Sequence, residues 1–324
     1  MSEFVGRFIE AGVASESSRG VAEATAEKWV KNVNTDVILN VEKVIDDNTR
    51  GRLEDSEKTR KVKEWYQGDL SGILHADAIG YFFYNVYGTV NSEVYNGAYK
   101  HTFSVLNGIE HPTFTYFAKD GVEQLALAGG IVNTLAVEAT VDDYVRFTAN
   151  IIAKSGTANT GSISYDNEYD FIGRDIEIKM ADKEADLATA TAIKAKSISI
   201  SYDMGAINNF TFGSYNPDNL FQSKSSIEGT ISLDYADDTF KELFNSDDAK
   251  YLQIAITGEA EIGTTHPTMT FLFNKVMITS WTRSSGADEL STQEVGFKAF
   301  YNADDSEQSS LEIINTTQTY VATS

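Results

Sequence analysis

Cysteine is absent from the chain, and proline and histidine are scarce, at three and four residues. Without thiols there is no disulfide framework, no thiolate-bound zinc and no cysteine nucleophile. A reducing cytosol is the compartment this composition fits. Positive charge is short too: 26 Lys and Arg face 48 Asp and Glu, for a formal net charge of −22. A surface that acidic repels nucleic acid and anionic lipid. Salt adaptation would account for the charge, but it is expected to suppress lysine, and 18 of the 26 basic residues are lysine. Plain solubility is the other simple account. No apolar run approaches the length of a membrane span, so no membrane partner is expected. The opening MSEFVGRFIEAGVASESS has neither a basic region nor an apolar core, so no secretory leader is expected.

Catalytic signatures are missing as well. There is no GxxxxGK[ST], GxGxxG or GxSxG. His75, His101, His111 and His266 have no metal-binding spacing, and structural roles suit them better than catalysis. The acidic pairs Asp142–Asp143, Asp237–Asp238 and Asp247–Asp248 lie in no DxDxDG loop and read as turns and helix caps. No enzyme, cofactor or metal is expected.

What is present is repetition. With 42% hydrophobic residues the chain can bury a core in each of two domains. HPTFTYF at 111–117 returns as HPTMTFLF at 266–273, an offset of 155 (266 − 111). Other pairs follow in the same order: GRFIE at 6–10 with GRDIE at 173–177, ATA at 24–26 with ATA at 190–192, and VILNV with SISISY. GDLSGILHADAIGYFF at 68–83 matches GTISLDYADDTFKELF at 229–244, and VRFTANII at 145–152 matches VGFKAFYN at 295–302. A tandem duplication accounts for six ordered matches. It divides the chain into 1–155, a linker 156–172, a second unit 173–303 and a polar tail 304–324. LEIINTTQTYVAT in the tail alternates as a strand does.

Each half reads as half-buried strands around one helix, a β-sandwich or barrel. Period-2 alternation marks VILNV, DLSGILHA, HTFSVLN, TFTYF, LAVEAT and VRFTANIIA in the first half. It marks SISISY, SIEGTISLDY, YLQIAITGEAEI, TMTFLF, KVMITSW and EVGFKAFY in the second. The helices carry Ile79, Phe82, Phe83 and Val86, and Phe240, Leu243 and Phe244, with Asp77 and Asp237 or Asp238 as N-caps. Two long polar stretches, 43–65 and 204–226, read either as extended β-arms that make contacts or as loose surface loops. In the first, Arg50, Arg52, Lys58, Arg60, Lys61 and Lys63 alternate with Asp46, Asp47, Glu54, Asp55, Glu57 and Glu64, a mixture that suits protein contact better than phosphate. Trp65 and Tyr66 serve as contact anchors or as core.

GVASESSRGVAEATAEKWV, GDLSGILHADAIGYFFYNVYG and HPTFTYF together resemble the phage tail-tube (major tail) proteins. The resemblance covers much of residues 1–155 and reaches 173–302 through the duplication. It implies β-sandwich/barrel units, each with a flanking helix, that form rings stacked into a hollow tube for the genome. The arms would contact neighbouring subunits or rings, through Arg50, Arg52, Glu54, Asp55, Arg60 and Trp65 in one and Phe212, Tyr215 and Phe221 in the other. Family tubes have six tube domains per ring, so three two-domain chains would close a pseudo-hexamer; six chains per ring is the other stoichiometry. Four strands per domain would give 24 strands and, at ~4.8 Å spacing and ~40° tilt, a barrel roughly 45–50 Å across. DNA would pass without binding, repelled by an acidic lumen faced by Ser199, Ser201, Asp203, Thr230, Ser232 and Asp234. Implied partners are further copies of the chain and tape-measure, tail-terminator and baseplate proteins, in a virion tail assembled in the host cytoplasm. A tandem β-sandwich adhesion or carbohydrate-binding module and the tube of a contractile injection machine are the competing readings.

Overall fold

The computed structural model describes residues 6–46, 51, 53, 56 and 58–322. The first half holds β1 (Glu10–Ser15), β2 (Lys28–Val30), β3 (Val33–Thr35), β4 (Ile38–Ile45), β5 (Thr59–Ile73), β6 (Gly88–Tyr95), β7 (Ala98–Val105), β8 (Phe114–Lys119), β9 (Gln124–Thr140) and β10 (Arg146–Ala153). Helix α1 (Ile79–Tyr87) follows β5. After β11 (Ser155–Ala158) come β12 (Ile176–Ala181), β13 (Ala195–Asp203), β14 (Ala206–Asn209), β15 (Asn219–Gln222), β16 (Ser226–Asp234), β17 (Lys250–Thr257), β18 (Thr268–Ser284) and β19 (Thr292–Ala299). Helix α2 (Thr239–Ser246) follows β16, and β20 (Ser309–Asn315) comes last. The protein is mainly β, as its alternating runs require. TMTFLF and KVMITSW, read as separate strands, are one strand, β18.

Both halves lay their antiparallel strands in one order. The first runs β1–β8–β9–β10–β5, edged by β3 and β4. The second runs β12–β17–β18–β19–β16–β13. Each opens with a 3₁₀ turn leading into a strand, at GRFIE and at GRDIE. The HPT phrases, however, occupy different places in this order. His111 precedes β8, whose place in the second half belongs to β17, whereas His266 precedes β18, the counterpart of β9. His111 is buried between the carbonyls of Asn85 and Leu106, and His266 is exposed. Both phrases meet one local need, a proline at the entry to a strand with one apolar face, at different points of the sheet.

The halves join edge to edge. β9 pairs with β13 from Thr140↔Ser197 to Thr134↔Asp203. β20 ties them again behind, pairing with β7 on one side and β18 on the other. Leu311 and Ile313 of this last strand are fully buried.

Helix α1 lies inside the fold and does not flank it. Every residue except Tyr84 is buried, and Gly88 ends the helix in the left-handed conformation with its N–H on the Tyr84 carbonyl. Phe82 packs on Phe114 of β8 and Phe147 of β10; Phe83 packs on Tyr202 of β13 and Phe271 of β18. Asp77 does not cap it. The N-cap is Ala78, and an Asp77 carboxylate oxygen instead accepts the Thr316 N–H and the hydroxyls of Thr316 and Thr317 at 2.9–3.0 Å. Asp77 is fully buried and its carboxylate needs partners, and these three donors from one segment supply them. Tyr320 lies edge-on to Tyr81 and so close over Gly80 that a Cβ there would strike its ring. α2 is the amphipathic flanking helix: Phe240 is buried, Phe244 is exposed, and the Asp237 carboxylate accepts the Thr239 N–H.

Phe83 therefore bridges both halves. Phe83→Ala is expected to cost roughly 3–5 kcal/mol in urea unfolding, and Phe244→Ala to stay within about 0.5 kcal/mol, as exposed positions do.

Candidate functional site

Alternation gives the joined sheet two faces, and the β9–β13 junction keeps them in phase. On one face, α1 and α2 cover the apolar residues. On the other, a row of side chains crosses eight strands: Asn34, Ser71, Thr148, Ala136, Ser201, Glu228, Lys298 and Met277 are successive cross-strand partners. A parallel row runs Arg146, Glu138, Ser199, Thr230, Gly296 and Ser280. Small hydroxyl residues and carboxylates dominate it. All six residues expected on a wet face, Ser199, Ser201, Asp203, Thr230, Ser232 and Asp234, lie on this one, half-buried or exposed, on β13 and β16.

Part of its acidity is neutralised locally. Lys298 meets Glu228 at 2.6 Å, Lys224 meets Asp203 at 2.5 Å and Lys196 meets Asp234 at 2.5 Å. The Lys298 hydrogen bond holds the Glu228 carboxyl below its ordinary range. Asp69, Glu138 and Glu294 have no salt bridge among the described residues, and with Arg146 standing opposite Glu138 the face as a whole keeps a small excess of carboxylates.

The two polar stretches form hairpins that dock on each other. β4 and β5 make the first, and β14 and β15 with loop 210–218 make the second. The Glu64 N–H donates to the Tyr215 carbonyl at 2.8 Å, and Trp65 sits edge-on to Phe210 at 6.0 Å. The Lys61 ammonium lies 4.7 Å from the Tyr215 ring centre and that of Lys63 lies 5.1 Å from that of Phe210. Of the arm residues singled out from sequence, Trp65 and Phe221 are half-buried, while Arg60, Phe212 and Tyr215 are exposed. Arg50, Arg52, Glu54 and Asp55 lie outside the described residues. The arm's outer surface carries exposed apolar residues: Ile38, Val44 and Ile45 are 52–64% exposed, and Leu39 and Val41, expected to be half-buried in VILNV, are 44% and 40% exposed. Sequence reading misses the junction itself and β6, although HTFSVLN marks its hairpin partner β7; GTVNSEVY alternates but directly continues α1.

The family model for phage tail tube protein matches residues 9–299, which takes in every strand but β20, both helices and both docked hairpins. The chain belongs to the phage tail tube protein family. Its members are structural, and this one is a tail tube subunit. Among solved structures, this tube-family chain is similar to the tube-terminating cap of the anti-feeding prophage, at 14% identity and TM-score 0.31 over 48% of this chain and 96% of that one. It is also similar to the SPP1 tail tube, at 12% identity and TM-score 0.29 over 46% of this chain and 81% of that one. No curated protein matches it.

In this tube subunit the strongly perturbed carboxylate lies away from the polar face. Burial pushes Glu168 up to about 7, against the opposing charge of Lys28 at 3.8 Å. The unfolded chain releases that proton near 4.5 and the folded chain near 7, so in this window the folded state holds more proton and loses stability as pH rises. Glu168→Gln is expected to raise the melting temperature relative to wild type at about pH 8 and to leave it near wild type at about pH 4, measured by thermal melts across that range.

Proposed function

We propose that three copies close into a ring whose inner wall is the polar face, that rings stack into the tail tube, and that DNA passes through. The observation that carries this reading is the eight-strand sheet with one continuous, mostly polar face. Three copies supply 24 strands and a barrel roughly 45–50 Å across; side chains leave on the order of 35–40 Å, room for a duplex about 20 Å wide. Six copies would double the diameter and leave a bore far wider than the cargo. Only the polar face is free to line the lumen, because helices and core occupy the other. Ser and Thr are weak phosphate ligands, Lys298 and Arg146 are engaged in ion pairs with Glu228 and Asp143, and the carboxylates repel DNA over a Debye length of about 8 Å.

In this proposal the chain contains two tube-type units, 1–155 and 173–303, joined by 156–172, and the tail 304–324 secures them. The shared strand order of the halves supports it. The apolar arm residues Val44, Ile45, Phe212 and Tyr215 would contact the next ring. The partners are other copies of the chain, then tape-measure, terminator and baseplate proteins in the assembled virion, with synthesis and assembly in the host cytoplasm. The protein is structural and not an enzyme.

Electron microscopy of the concentrated protein is expected to show hollow rings or tubes with three-fold symmetry and a six-lobed outline. Twelve-lobed rings would overturn the three-chain ring, and two-lobed particles absent from every tube and virion would overturn the tube role. Converting Asp69 to Asn and Glu138 and Glu294 to Gln should preserve tubes yet slow DNA ejection from assembled virions.

A further inference from the structure

The sheet contains a template for its own continuation. β9 and β18 each carry one extra residue at the same point of the pattern: Asn150↔Thr134 is followed by Ile151↔Val132, skipping Asn133, and Gly296↔Ser280 by Phe297↔Ile278, skipping Thr279. Aligning the bulges sets β9 against β18 at an offset of 146 (279 − 133). Through Asn150↔Asp69 and Gly296↔Thr230, β5 then matches β16 at 161 (230 − 69). Asn40↔Trp65 and Asp203↔Ser226 match β4 with β13 at 163 (203 − 40). Inside the chain, β9 pairs with β13. Their counterparts, β18 beyond Val276 and the outer edge of β3 and β4, have no strand partner on that side among the described residues.

Burial agrees with the alignment. Tyr202 and Met204, inside the internal junction, are 0% and 1% exposed, whereas their counterparts Leu39 and Val41 are 44% and 40% exposed. Leu135 is fully buried opposite Tyr202, and its counterpart Trp281 is half-buried on a bare edge. One charged departure, Arg283 at the place of Val137, stacks on Tyr235 at 5.0 Å and can remain there. Bare strand edges with apolar side chains invite pairing, and the occupant these two fit is a second copy.

We propose that β18 of one copy pairs antiparallel with β3 and β4 of the next in the register of the internal junction, placing Trp281 opposite Leu39, Thr282 opposite Ile38 and Ser280 opposite Asn40. The proposal rests on the ring reading and adds its seam. A closed ring leaves no such edge bare, so the same pairing both assembles the barrel and stops lateral growth.

The absence of cysteine makes a clean test. In the internal junction the Met204 N–H donates to the Asn133 carbonyl and the Val141 N–H to the Lys196 carbonyl, so the inward residues form the hydrogen-bonded pairs. The outward pairs are the close, non-hydrogen-bonded ones, with Cα atoms ~4.5 Å apart, within disulfide reach. Ile38→Cys with Thr282→Cys is therefore expected, on mild oxidation of assembled protein, to give intermolecular disulfides and a non-reducing ladder that ends at the trimer. Ala136→Cys with Ser201→Cys should close within one chain and serves as the geometric reference. The shifted pair Ile38→Cys with Ser284→Cys should cross-link poorly, its Cα atoms being about 7 Å apart or more. Asn40→Cys with Ser280→Cys reads the same register independently, and mixing single variants tests for bonds between different copies. Rings in micrographs of the same sample, with no intermolecular bond or with the shifted pair reacting equally, would overturn the seam and leave the ring. Failure of wild-type protein and virions to show any ring or tube would overturn both.

Discussion

The pairing of β9 with β13 is the constraint on which the molecule turns. Side chains alternate across a sheet with a period of two, so a slip of one residue at a junction would exchange the faces of everything beyond it. Here Leu135 meets Tyr202 and Val137 meets Ile200 on the buried side, while Ala136 meets Ser201 and Glu138 meets Ser199 on the wet side. The two halves consequently present one polar face and one apolar face. Neither the core under α1 nor the wall opposite would be continuous otherwise.

Behind the junction, polar contacts between the halves specify how they fit. The Asn85 side chain of α1 donates to the Pro112 carbonyl and accepts from the Val132 N–H and from Gln222 of the second half. Tyr87 and Tyr202 share a hydrogen bond of 3.1 Å in the core. Such buried groups are costly when unpaired, so they oppose any shift between halves. The chain's last residues add a further strap through Asp77, which holds the tail against the start of α1. Covalent connection between the halves matters less than this fit, and equivalent edges on separate copies can therefore meet in the same way.

The polar face contributes little to stability. Its ion pairs are exposed, and such pairs are worth roughly 0–1 kcal/mol each. What they do is limit the field: Lys298, Lys224 and Lys196 each offset one carboxylate, leaving a wall that is mildly acidic and rich in hydroxyls. The proposed conduit for a polyanion would need that combination, since strong positive charge would hold the cargo.

The linear chain was sufficient for whatever depends on near neighbours. SISISYD and GTISLDY alternate as β13 and β16 do, and GDLSG opposite GTISL marks the true β5–β16 correspondence at 161. Phe82 and Phe83 announce a buried helix face, though not that α1 is enclosed all round. Trp65 offers two meanings in sequence, and its packing against Phe210 within the chain emerges only on folding. Asp77 before a helix looks like a cap until a segment some 240 residues later brings its own donors. The HPT phrases look equivalent because local patterns repeat wherever the same kind of strand entry recurs. Which edge meets which edge is a long-range choice, made by complementarity of buried side chains and unpaired backbone across the whole sheet, and no local run of residues encodes it.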